Sequence, residues 1–502
     1  MMLEYKKLNN LAGWFTFLIA LVVYAITVED TASFWDAGEF IAVSNKLEVP
    51  HPPGAPFFLL MGRMFSLFAG DDVEQVAFWV NMLSVFSAAF TVLFLFWSIT
   101  HLAKKMLIEA DGTLNVGQII AVMGAGLVGG LVCTFSDSIW FSAVEAEVYA
   151  MSSFFTAFVF WAILKWETIN DESDHNKWLI LIAYMMGLSI GVHLLNLVTI
   201  PALGLIVYFK YVKKITLKGV LMTLLTSGGI IIVILIGVIP GIPSTVGAME
   251  VFFVNSMGFQ FGSGAVVFII LFVSAVVFGI YYSIINQKVI LNTSMLAFAF
   301  MMIGYMSYAI VLIRSNYNTP IDENNPEDIM NYVSYLKREQ YGSRPLFHGQ
   351  YYTADIIASD QGDPVYKKGT EKYEIIDHKV IYRYDKKHMT ILPRMHSKSA
   401  QHEKKYREIT GLNKGEKPAF TDNLYFMFKH QLGTMYLRYF MWNFSGRASD
   451  IQDANWVGLS NAFKELPPEL ANNKGRNIYF GLPLLLGIIG FLYQYKKNEK
   501  YF

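Results

Sequence analysis

Apolar residues dominate the chain in blocks of about twenty, and a block of that length crosses ~30 Å of hydrocarbon when helical. Ten spans are expected, at 11–28, 77–101, 116–135, 148–166, 177–192, 194–209, 219–240, 264–285, 293–313 and 477–494. The short pair 177–192 and 194–209 reads as one hairpin broken at the membrane surface. Segment 55–69, "APFFLLMGRMFSLFA", is apolar but short and carries Arg63, so it is expected to lie in the interface or re-enter. The expected fold class is mainly α: a polytopic helical membrane protein with about ten transmembrane helices and a small α+β extracytoplasmic domain.

The long polar stretch 315–476 breaks this rhythm. It mixes charged residues with β-prone runs such as "YEIIDHKVIYRY", which points to a small α+β domain tied to the membrane at both ends. The expected organisation is a transmembrane catalytic region over 1–314, with a first outer loop at 29–54. The extracytoplasmic domain follows over 315–476, then a last helix and tail over 477–502.

Charge orients the bundle. Lys6 and Lys7 precede the first span, and Lys104, Lys105, Lys210, Lys213, Lys214, Lys218, Lys288, Lys496, Lys497 and Lys500 fall on the same side. The opposite loops at 136–147 and 241–263 hold no Lys or Arg, so both termini are expected in the cytoplasm and the acidic loop outside. The first apolar run has no small-residue cleavage site and reads as a retained span. Hydrophobic residues make up 54% and charged residues 16%, with a mean hydropathy of +0.37, which fits a membrane rather than a soluble class. A formal net charge of zero gives no bulk attraction to nucleic acid. The single Cys133 excludes an internal disulfide and a cysteine metal cluster.

Candidate chemistry concentrates in "VEDTASFWDAGEFIAVSNKLEVPHPPGAP". Asp36 and Glu39 are three apart and share one helix face. Ser33 followed by Asp36 fits a capping box that would start the helix. Phe34, Trp35, Phe40 and Ile41 are expected among the lipid headgroups. Pro52, Pro53 and the flexible Gly54 would form a rigid turn holding His51 close to the carboxylates. An amphipathic surface helix with merely solvated acids explains these residues about as well as a catalytic loop. A second constellation favours the latter: Glu145 and Glu147 in "AVEAEVYA", and His193, are expected at the same membrane face. Acids and histidines at bilayer ends point to function by default. Arg314 in "VLIRSNYNTP" either snorkels or grips a phosphate, with Arg63 a weaker candidate.

The segments "TVEDTASFWDAGEFIA…HPPGAPFFLLMGRMFSL", "AEVYAMSSFF", "GVHLLNLVTIPAL" and "IRSNYNTPIDENNP" resemble glycosyltransferase family 117 of the GT-C superfamily, a family found in Bacteroidetes that includes protein O-mannosyltransferases. The likeness runs over nearly the whole chain, and its most specific part lies at Asp36, Gly38, Glu39, His51, Pro52, Pro53 and Gly54. It implies an inverting enzyme that moves a sugar, mannose by expectation, from a polyprenyl-phosphate donor to Ser or Thr of exported proteins. Asp36 takes the place of the superfamily's catalytic acid, with Glu39 orienting it or the acceptor. Arg314, His193 and His51 would hold the donor phosphate, and Glu145 and Glu147 would support the site. The resemblance implies an inner membrane with a periplasmic site. It also implies a site without metal, although paired acids could bind Mg²⁺ or Mn²⁺. Many bacterial relatives extend beyond the point where this sequence stops, so an acceptor-handling region is expected either to be absent or to act in trans.

Three rival readings remain. A lipid or polysaccharide acceptor keeps the fold and changes the product. A transporter or flippase would want charges or broken helices near the bilayer centre. A scaffold would use 315–476 for docking. No P-loop or dinucleotide fingerprint is present.

Overall fold

The structure is a computed structural model that describes residues 2–108, 113–169 and 172–497, with side chains undescribed at 2, 3 and 172–174. Lys500, used above for orientation, lies outside the described residues. The chain forms two compact units, Met1–Lys337 with Leu486–Phe502, and Arg338–Leu485.

The first unit begins with α1 (Met2–Ala25), α2 (Ala37–Lys46), α3 (Pro56–Ser66) and α4 (Val76–Leu107). Next come α5 (Val116–Thr134), the short α6 (Asp137–Ala143), α7 (Val148–Thr168) and α8 (Glu172–Ile190). Beyond these lie α9 (Ile200–Tyr211), α10 (Leu217–Ile232), α11 (Ile242–Val251), α12 (Ser263–Ile285) and α13 (Val289–Tyr305). The short α14 (Ala309–Ser315) and α15 (Ile329–Leu336) complete it. Among the described residues, eight helices are long and apolar enough to cross a membrane. They coincide with eight of the ten expected spans. Of the other two, 177–192 falls on α8, whose first residues include Glu172, Asp174 and Lys177. The span 477–494 falls on Leu482–Lys497, a helix of only 16 residues. The break between α8 and α9 is real: Gly191–His193 leads into a 3₁₀ turn at Leu194–Thr199.

Helix α4, the most buried of the membrane-length helices, packs on α1, α5 and α7. Its buried Val85, Ala89, Val92 and Leu93 share one core with Phe17, Ala20, Tyr24 and Ala150. Around it, α8 closes on α13 at two glycines: a Cβ on Gly187 would stand 2.1 Å from the Met301 carbonyl. A Cβ on Gly304 would stand 2.5 Å from the Leu188 backbone nitrogen of α8, the small-residue contact that lets membrane helices touch.

The bundle has two chemically distinct ends. Lys6, Lys104, Lys105 and Lys165 gather where α1 starts and α4 and α7 finish. The loop 26–36 and residues 145–149 sit where α1 finishes and α4 and α7 start.

In the second unit β2 (Ile356–Lys368) pairs antiparallel with β3 (Tyr373–Tyr384), the run expected to be β. A smaller pair joins β1 (His348–Gln350) to β4 (Met389–Ile391). Tyr352, Met395, Tyr406 and Phe426 form its core with helix α16 (Ala400–Thr410) and α17 (Phe420–Phe426). Mostly helical with small sheets in its C-terminal part, the fold class is the one expected.

Candidate active site

The acidic loop folds onto the end of α4. Buried Asn81 donates its amide to the carbonyls of Glu29 (2.6 Å) and Thr31 (3.0 Å), and the Glu29 N–H reaches the Val144 carbonyl at 3.0 Å. This fixes the entry to α2. Asp36 stands at the N-cap with no side-chain cap bond, and Trp35 before it has a positive φ of 63°. The expected Ser33 capping box does not form. The Ser33 hydroxyl donates instead to Glu145 Oε2 at 2.6 Å, because a buried carboxylate competes better for it than a helix amide. Phe34 and Trp35 are exposed, which the headgroup reading requires. It fails for Phe40 and Ile41, which sit on the opposite face of α2 and pack in the core with Phe58 and Val80.

Glu39 organises the site. Its Oε1 accepts the His51 backbone N–H at 2.8 Å, and its Oε2 bonds His51 Nδ1 at 2.8 Å. His51 Nε2 is thereby aimed at Asp36 Oδ2, 4.0 Å away. The three side chains offer ligand atoms all within 4.8 Å of one another. Burial alone would raise the Glu39 carboxyl, but the bonds from His51 outweigh it and hold Glu39 below the usual range. The Glu39 bond raises His51 above its ordinary value against desolvation, aided by the charges of Asp36 and Glu323.

The turn that delivers His51 is locked from behind. Gly54 has φ +92°, and a Cβ there would lie 2.6 Å from the Tyr335 hydroxyl. That buried hydroxyl donates to the Pro50 carbonyl at 2.6 Å. The Pro52–Pro53 peptide is cis. Val49 pairs in parallel with Asp322, its N–H on Ile321 O at 3.0 Å and its carbonyl accepting Glu323 N–H at 3.1 Å. The "IRSNYNTPIDENNP" segment is therefore the frame behind the His51 turn.

Two more acids approach from the start of α7. Glu145 and Glu147 are buried, and desolvation raises both carboxyls. Glu147, close enough to feel Asp36 and Glu145, is pushed up to about 7. Its Oε2 accepts the Val148 N–H at 3.1 Å. Tyr149, which the sequence reading missed, lies among the charges of Asp36, Glu145 and Glu147. Its ring meets His193 at 5.5 Å, while His193 Nδ1 accepts the Leu195 N–H at 3.1 Å. The signals that could have found Tyr149 and Asn81 are their polar groups inside otherwise apolar windows.

The arginines go elsewhere. Arg314 Nε donates to Leu47 O at 2.5 Å and its Nη2 to Lys46 O at 3.0 Å, with Tyr317 beneath the guanidinium. Arg63 bonds the Asn45 carbonyl and, at 3.0 Å, the Asn45 side chain. Both satisfy the C-terminal carbonyls of α2, the negative end of its dipole. Ten helical residues, about 15 Å, separate that end from Asp36. The structure thus brings together Asp36, Glu39, His51, Glu145, Glu147, Tyr149 and His193, and places Arg314 at the far end of α2. A Cβ added at Gly38 would make only an ordinary van der Waals contact, 3.6 Å from the Ala32 Cβ.

An acid–histidine centre where the first loop of a polytopic helical bundle meets the start of α7 defines a class: membrane proteins with polar chemistry at one bilayer face. Comparison with known proteins narrows it. Residues 36–216 match the family model described as the Protein O-mannosyl-transferase TMEM260 N-terminal domain. Residues 342–428 match a family of unknown function, DUF8416. The chain is 25% identical over 195 residues to "Protein O-mannosyl-transferase tmem260" of Dictyostelium discoideum, covering 37% of this chain and 22% of that protein. It is 26% identical over 175 residues to "Protein O-mannosyl-transferase TMEM260" of Mus musculus, covering 35% of this chain and 22% of that one. The matched stretch spans about a fifth of each relative's length. No solved structure matches. The similarity is distant and is to protein O-mannosyl-transferases, which bears on a glycosyltransferase activity with a sugar donor and a protein acceptor.

Proposed function

We propose that the chain is a GT-C-type inverting glycosyltransferase, of the family 117 kind. It would move mannose from a polyprenyl-phosphate carrier to Ser or Thr of exported proteins at the periplasmic face of an inner membrane. The observation that carries this reading is the Asp36–Glu39–His51 cluster, which occupies the bundle end opposite the lysines.

In this mechanism Asp36, the exposed member, accepts the proton of the acceptor hydroxyl as its oxygen attacks the anomeric carbon. The bond from that carbon to the carrier phosphate breaks on the opposite face, the phosphate leaves with the electron pair, and the configuration inverts. A placed carboxylate base contributes ~10²–10⁴-fold. Glu39 raises the His51 pKa and aims its Nε2 at Asp36. His51, whose pKa is raised, and His193, whose Nδ1 accepts a backbone N–H so that its Nε2–H is left to donate, are assigned the departing phosphate. Arg314 in this reading holds α2 in place. Glu147 keeps a proton next to Asp36 near neutral pH. Exposed Phe34 and Trp35 keep the loop at headgroup depth, where a carrier that cannot leave the bilayer presents its sugar.

Asp36, Glu39 and His51 have the donor chemistry for a divalent cation, which would add Lewis-acid charge at the phosphate. Both Glu39 oxygens are already engaged by His51, so the reading assigns no metal a step, and activity is expected to survive a chelator. The test is to incubate membranes containing the protein with polyprenyl-phosphate [¹⁴C]mannose and separate protein from lipid. Label in protein supports the proposal. Label only in lipid or polysaccharide moves the acceptor, and no label in any fraction overturns the reading.

A further inference from the structure

We propose that the lysine-rich end of the bundle holds a binding site for the phosphate headgroup of an anionic membrane lipid, separate from the acid–histidine centre. A cavity of about 810 Å³ opens there between the start of α1 and the ends of α4 and α7, within the size range of ligand pockets. Its rim carries Lys6, Lys104 and Lys165, and none of the three makes an ion pair among the described residues. Lys105, by contrast, is already taken by Glu167. The Lys104 ammonium lies 4.9 Å from the Tyr5 ring centre and that of Lys165 lies 5.7 Å from the Trp161 ring centre. Among the described residues, three ammonium groups converge on one hollow, and the Glu167 carboxylate beside it is taken up by Lys105.

A second observation points the same way. Four residues of the cavity wall carry buried polar atoms that find no hydrogen-bond partner among the described residues: Asn9 Oδ1, Trp97 Nε1, His101 Nε2 and Trp161 Nε1. Buried polar atoms are ordinarily paired, so a wall with four orphans is built for something beyond its own packing. Trp97, Trp161 and Ile108 supply apolar surface beside the cations, which suits glycerol and the first acyl carbons more than a fully hydrated phosphate. Juxtamembrane lysine clusters attract anionic lipids in this way, each cation adding to the attraction.

The experiment uses the full-length protein in neutral detergent, observed by native mass spectrometry and by thermal unfolding. Phosphatidylglycerol, phosphatidylcholine and soluble glycerol 3-phosphate are added in separate arms. The expected result is a one-to-one phosphatidylglycerol adduct with a raised Tm, and neither effect from the other two. Lys6→Gln/Lys104→Gln/Lys165→Gln lowers adduct occupancy at least tenfold, and the matching triple arginine variant retains it. Equal retention of phosphatidylcholine, an adduct untouched in the glutamine variant, or an equal shift with glycerol 3-phosphate overturns the lipid assignment. If the triple variant fails to fold, Lys165→Gln alone and the wild-type comparison of the two lipids still decide it. Sugar transfer is not read in any arm, so the proposal stands or falls apart from the catalytic one.

Discussion

Replacing Glu39 with Gln removes one negative charge and leaves the shape of the site. Glu39 binds His51 through two contacts of 2.8 Å, one of them to the imidazole. A hydrogen bond to a charged partner is worth ~1.5–3 kcal/mol. About a quarter of each side chain still reaches water, 23% for Glu39 and 27% for His51. Screening therefore brings the estimate down to about 1–2 kcal/mol. At 1.36 kcal/mol per decade that is a loss of roughly 5–30-fold in kcat/KM. The pH profile moves as well. Glu39 is the largest influence raising the His51 pKa, so in Glu39→Gln only the weaker charges of Asp36 and Glu323 oppose desolvation and His51 gives up its proton at lower pH. Mannose transfer to an acceptor protein, followed from pH 5.5 to 8.5, should lose activity on the alkaline side earlier in the variant than in the wild type. Unchanged kcat/KM together with an unmoved alkaline limb, in protein folded to wild-type level, refutes the role given to the pair.

Three other outcomes follow from the same geometry. Gly54→Ala forces a left-handed residue against the Tyr335 hydroxyl and should cost at least about 1–2 kcal/mol. It should lower Tm in detergent, whereas Gly38→Ala should leave Tm unchanged. Glu147 has its pKa raised from 4.5 to about 7, so between those values the folded state binds more protons than the unfolded one. Stability therefore falls as pH rises through that window, by about 3 kcal/mol in full. Tm measured from pH 4.5 to 8 should slope less in Glu147→Gln, and equal slopes would contradict the burial argument. With Cys133 replaced by Ser, Asp30→Cys should react with a membrane-impermeant maleimide in intact cells, and Lys213→Cys only after permeabilisation. The reverse pattern would invert the orientation.

Much of this site is written in local sequence. The three-residue spacing of Asp36 and Glu39 survives folding because Asp36 ends its loop with helical dihedrals (φ −83°, ψ −3°). The proline-rich turn does hold His51 against the acids, since proline fixes φ locally and Gly54 takes the positive φ that the turn needs. Reading failed where partners lie far apart in the chain. Ser33 chose Glu145, 112 residues away, over its own helix, and Arg314 reached back 267 residues to cap α2. Such choices depend on which loops meet above the bundle. Hydropathy also ignores how apolar surface is shared: Phe40 and Phe34 score alike, yet one is 4% exposed and the other 81%. The spans themselves were legible, since length and apolarity decide them locally. The exceptions are α8, which carries charges at its start, and the 16-residue C-terminal helix.

The most direct measurement compares wild type and Asp36→Asn, purified and reconstituted with labelled polyprenyl-phosphate mannose and an acceptor protein. The account predicts label in the acceptor with wild type and at least a hundredfold less with the variant at unaltered Tm. Equal transfer by both would contradict it.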